Sequence, residues 1–109
     1  MPQSTDDPVV DVTDVDALVD EPHAEVFDAR DPRTVRLSLE AGERVPAHQH
    51  PESMVVLYVL TGEIALSLGG DEYDLSEGDA VRFDGAQDVS PEAVTDAEAF
   101  LVFTSKTGE

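Results

Sequence analysis

Between Thr34 and Gly70 the chain reads TVRLSLEAGERVPAHQHPESMVVLYVLTGEIALSLGG, and this stretch decides the fold. Val35, Leu37 and Leu39 alternate with Arg36, Ser38 and Glu40, which is the period-two pattern of a strand with one buried face. Ala41-Gly42 then supplies a turn. The continuous apolar run from Met54 to Leu60, rich in β-branched residues, predicts a strand buried on both sides. Thr61-Gly62 turns the chain again, and Ile64, Leu66 and Leu68 resume the alternation. Gly69-Gly70 closes the stretch with a hairpin signal.

The same grammar continues on the C-terminal side. Tyr73 and Leu75 lead to a turn over Ser76 to Asp79, Val81 and Phe83 alternate with Ala80 and Arg82, and Asp84-Gly85 is a second hairpin signal. A last apolar run covers Ala99 to Phe103, after which the chain is expected to fray from Thr104. Tyr58, Phe83, Phe100 and Phe103 are expected in the core, one of them lining a pocket. Towards the N-terminus, Ala24 to Phe27 and Val9 to Val12 are candidate short strands. Thr13 with Asp16 three residues later forms a helix-capping pattern for a helix within Asp14 to Val19, stopped by Pro22. The expected division is a flexible leader over 1–8, an extension over 9–33, a barrel over 34–104 and a flexible tail over 105–109. About eight short strands with frequent turns predict an all-β sandwich, jelly roll or barrel.

The chain has 109 residues, enough for one domain with one modest core. Asp and Glu number 25 against six Lys and Arg, a net charge of -19. Phosphate backbones and anionic membrane surfaces both demand basic faces, so neither nucleic acid nor membrane is an expected partner. The acids occur singly or in pairs such as Asp6-Asp7 and Asp71-Glu72, spread along the chain rather than massed in a tail. That spread suits a whole surface adapted to molar salt, where the screening length falls to about 3 Å. Scarce lysine and abundant aspartate resemble proteins of halophilic archaea. There are no cysteines, and the first residues carry neither the basic nor the apolar region of a secretory signal. A cytoplasmic location is expected.

Two of the three histidines are His48 and His50. On a strand, i and i+2 project to the same face, so both imidazoles point together and suit one divalent metal such as Zn, Fe, Mn or Ni. Here the chain resembles the cupin family. The residues from Gly42 to His50, with Gly62 beyond, match the spacing of the first cupin motif: Gly, five residues, His-x-His, a Glu, six residues, Gly. The stretch EGDAVRFDG from Glu77 to Gly85 resembles part of the second motif. The resemblance covers residues 34 to 103 and implies a double-stranded β-helix, the cupin jelly-roll barrel, with a short N-terminal extension.

The departures from that pattern bear on function. The motif's Glu falls at Met54 or Val55, and its last His falls at Val89. A turn one residue shorter at Asp84-Gly85 would put Asp88 at that last position, making His48, His50 and Asp88 the expected metal ligands. Gln87 and Glu52 are the next donors. His23 is read as a surface or strand-packing residue, and Met54 as core filling.

The resemblance implies two functions. One is a metal-binding cupin acting on small organic acids, sugars or aromatic compounds. The other is a metal-free cupin that binds or senses a small molecule without catalysis. An oxygen donor aimed at the histidine pair favours the first; an apolar wall from Val55 and Val89 favours the second. A homodimer is expected in either case, with residues 9–27 adding a strand across the partner to close a sheet edge.

Overall fold

The computed structural model describes residues 10–18, 22–27 and 32–106. The expected leader, together with Val9 and Val19, lies outside the described residues. Eight strands are present among those described: β1 (His23–Glu25), β2 (Arg33–Leu39), β3 (Ser53–Thr61), β4 (Glu63–Leu68), β5 (Asp71–Ser76), β6 (Ala80–Asp84), β7 (Val89–Ala93) and β8 (Ala97–Ser105). They form a five-stranded sheet in the order β1-β2-β8-β3-β6 and a three-stranded sheet in the order β5-β4-β7. Every strand pairing is antiparallel. Two facing antiparallel sheets with this order form the expected jelly-roll barrel.

The alternation read from the sequence becomes the inner faces of the two sheets. Val35, Leu37 and Leu39 from β2 meet Ile64, Leu66 and Leu68 from β4 in one core, joined by Leu57, Ala99 and Phe83. Leu57 and Leu66 are wholly buried. Each such side chain stabilises the fold by roughly 1.5–3 kcal/mol relative to an exposed one.

Strand β3 corrects the expectation of burial on both faces. Val55, Leu57 and Val59 are buried, but Val56 and Leu60 are only partly so and Tyr58 is 42% exposed. The strand is central in its sheet, yet the outer face has no second layer along Tyr58. Tyr58 is therefore not a core residue. Phe100 pairs with it across the sheet and is half-buried on the same outer face.

The N-terminal extension also differs from expectation. Its helix shrinks to one 3-10 turn, Val15–Ala17, whose cap is Asp14; the Asp14 carboxylate accepts from Asp16 N at 3.1 Å. Thr13 instead donates its hydroxyl to Val26 O at 2.6 Å. Val10 and Val12 form no strand and are exposed. Strand β1 pairs with β2 of its own chain, Ala24 opposite Arg36. It thus extends the edge of its own sheet. At the other end β8 runs through Thr104, where fraying was expected, and Lys106 N donates to Glu52 O.

Candidate functional site

The segment from Gly42 to His48 runs antiparallel along β7. Gly42 N and Val45 N donate to Ala93 O and Pro91 O, Ala93 N donates back to Glu43 O, and His48 and Val89 exchange both backbone bonds. Only Arg44 and His48 form ladder bridges, so the His-x-His pair does not lie on a regular strand. His48 ends the pairing, and His50 is pinned separately by its N–H to Gly85 O at 2.6 Å. The two rings nevertheless meet edge to face, with centroids 4.6 Å apart. His48 Nδ1 lies 3.0 Å from Pro46 O, which suits the tautomer that donates from Nδ1 and leaves Nε2 with a free lone pair.

Both histidines line a cavity of about 70 Å³ between the sheets. Its walls include Val55, Val89, Leu37 and Phe83, and its mouth carries Phe103, whose ring packs edge-on to His50 at 4.9 Å. The positions where the cupin pattern places its Glu and last His are therefore an apolar wall.

Asp88 is not brought to the histidines. Residues alternate across a strand, and the bridge between Val89 and His48 fixes Val89 as the inward residue. Asp88, one residue earlier, is exposed and accepts from Gln49 Nε2 at 2.9 Å. Gln87 donates to Asp84 O. Glu52 lines a neighbouring hollow and not this cavity.

Two other residues reach the cavity that no local spacing announced. His23, on β1, is not merely a packing residue: it lines the same cavity, as does Arg33 at the start of β2. The pairing of His23 with Leu37, itself a wall residue, carries it there. The signal was nonlocal, residing in sheet order. Arg33 donates from Nε and Nη2 to Glu25 Oε2 at 2.9 and 2.6 Å, and its guanidinium lies 5.1 Å from the Phe103 ring centroid.

Burial, then the neighbouring His48, then Arg33 push the pKa of His23 below its ordinary 6.5. Burial, His48, Arg33 and His23, in that order, lower His50 likewise. Both groups bind fewer protons folded than unfolded. Their contribution is full above about pH 6.5 and is lost as pH falls below it towards the folded values. The melting temperature is expected to drop between about pH 7 and pH 5.5, before most carboxylates titrate, and a His23→Gln/His50→Gln variant should flatten that slope. Thermal denaturation by circular dichroism across this range checks it; an equal slope in the variant would refute the assignment.

The comparisons with known proteins agree with this fold. A family profile described as "Cupin domain" matches residues 35–104. No curated protein matches. Among solved structures, KdgF from a Halomonas species is similar at TM-score 0.69 and 22% identity, covering 80% of this chain and 82% of that one. A predicted oxalate decarboxylase from Thermotoga maritima gives TM-score 0.69 and 24% identity, covering 76% of this chain and 78% of its own. An RmlC-like cupin from Desulfovibrio desulfuricans gives 0.69 and 21%, covering 95% and 96%. At such identities the likeness is one of fold. No helix among the described residues is long and apolar enough to cross a membrane.

Proposed function

The chain belongs to the family of cupin domains, and from that premise we propose that it binds a small molecule at the mouth of its barrel without a resident catalytic metal. The observation that carries this reading is the wall: Val55 and Val89 stand where the family pattern places two ligands, and both line the cavity. A catalytic zinc site takes three protein ligands and keeps one position open. Among the described residues no group of three or more His, Cys, Asp or Glu is placed to hold an ion. His48 and His50 bring two imidazoles into contact, His23 lines the same cavity but does not join them in a group placed to hold an ion, and Asp88 is engaged with Gln49 outside the cavity. That donor set does not fit Zn, Fe, Mn or Ni as a resident ion. Fold alone does not assign an activity, because function resides in the site.

Elemental mass spectrometry tests the reading, on untagged protein purified without chelator in molar KCl, with His48→Ala/His50→Ala beside it. The expected result is sub-stoichiometric metal in both, even after incubation with Zn, Mn, Ni and Fe(II). Stoichiometric metal that disappears in the double variant would overturn the reading and restore His48 and His50 as ligands of a metal-dependent cupin.

A further inference from the structure

The cavity has an uneven distribution of charge for such an acidic chain. All three histidines of the sequence and Arg33 converge on it. Elsewhere Arg36, Arg44 and Lys106 are each close to a carboxylate, of Glu98, Glu92 and Asp84 respectively. Arg33 also has Glu25, but both of its bonds go to one oxygen and use Nε and Nη2. That grip holds the guanidinium by one edge near Phe103, and Nη1 has no protein acceptor among the described residues.

A second hollow of about 220 Å³ adjoins the first and shares Arg33, His50 and Phe103 with it. Ser53, Thr104 and Glu52 line this outer hollow. Arg33 and His50 therefore stand at the seam between an apolar interior and an outer hollow of mixed character. A planar guanidinium beside imidazole N–H donors is suited to a carboxylate. A narrow cleft with low-dielectric walls strengthens that attraction. The walls behind the seam, Val35, Leu37, Val55 and Phe83, offer no side-chain donor or acceptor, so the rest of the ligand must be apolar. An engineered apolar cavity of about 150 Å³ holds benzene, so the inner cavity has room for about three carbons.

Resting on the reading of this cavity as a small-molecule site, we propose that its ligand is a small aliphatic carboxylate, its charge held by Arg33 with His23 and His50 and its short hydrocarbon body against Val55 and Val89. Isobutyrate is the probe, and isobutyramide, of nearly the same shape without charge, is its control. Binding is followed by methyl chemical shifts in nuclear magnetic resonance at one fixed salt concentration. Isobutyrate is expected to bind at least about tenfold more tightly than the amide, since hydrogen bonds to charged groups are the strong ones. Arg33→Gln should weaken isobutyrate about tenfold and leave the amide unchanged. Glu25→Gln should act in the opposite sense and tighten isobutyrate, because it removes the carboxylate that competes for Arg33. Opposite signs from two partners of one ion pair would not follow from a structural role, and Glu25→Gln decides the question if Arg33→Gln fails to fold. Equal binding of acid and amide would overturn the carboxylate assignment while leaving a small-molecule site. Loss of both probes would overturn it too, and the metal measurement then decides the site independently.

Discussion

Gly62→Ala is expected to destabilise the protein by at least about 3 kcal/mol, the largest effect of an alanine at any glycine among the described residues. Gly62 lies between β3 and β4 with φ 79°, a conformation that side chains rarely adopt. Strain of that kind costs on the order of 1–3 kcal/mol. Contact adds to it, because a Cβ here would fall against the carbonyl oxygen of Asp96, 2.9 Å from Ala97 Cα. Those atoms are backbone and cannot swing aside. The surrounding turns are tied as well: Glu63 N donates to Thr95 Oγ1, Val94 N to Glu63 O, and Ala41 N to Asp96 Oδ1. Gly42→Ala separates the two contributions, since Gly42 has φ 89° but nothing within 4 Å of an added Cβ. It should cost only about 1 kcal/mol. Chemical denaturation of both variants is the measurement, and equal losses would show that close approach contributes nothing at Gly62.

The second large effect is expected at Gly85, where substitution reaches the site itself. An added Cβ would lie 2.5 Å from His50 O, 2.9 Å from Ser53 O and 3.0 Å from His50 Cβ. Gly85 N donates to Ser53 O and Gly85 O accepts from His50 N, so the glycine holds the loop that carries His50. A methyl group there must push the loop away. Overpacking of this kind costs about 2–3 kcal/mol. Gly85→Ala should therefore lower stability and also move the His50 ring off His48 and Phe103, which ring proton shifts report directly. Unchanged histidine resonances with wild-type stability would mean that the loop does not pack on Gly85 as described.

The fold was legible because its signals are local. Alternation at Val35, Leu37 and Leu39 and again at Ile64, Leu66 and Leu68 specifies which face is buried before any partner strand is known. Gly69 and Gly70 both take positive φ, 58° and 101°, as a tight hairpin requires. The run from Met54 to Leu60 misled because apolar composition does not say whether a second layer covers the outer face. The site was only partly legible. His48 and His50 meet because they are near in sequence. Asp88 failed on a register of one residue, which reverses a side chain's face and leaves no trace in composition. His23 and Arg33 reach the cavity through sheet order, which places β1 beside β2 and Phe103 opposite Arg33.

That sheet order also governs how the molecule comes into being. Strand β8 lies between β2 and β3, so Arg33 pairs with Phe103 and Val55 pairs with the same residue from the other side. The centre of the larger sheet is therefore made after the seven other strands described. Until it emerges, β2 and β3 each lack the strand that joins them. Topologies dominated by such distant pairings fold on the order of milliseconds to seconds. During translation the β1-β2 and β3-β6 halves of the larger sheet therefore remain unjoined until β8 is made.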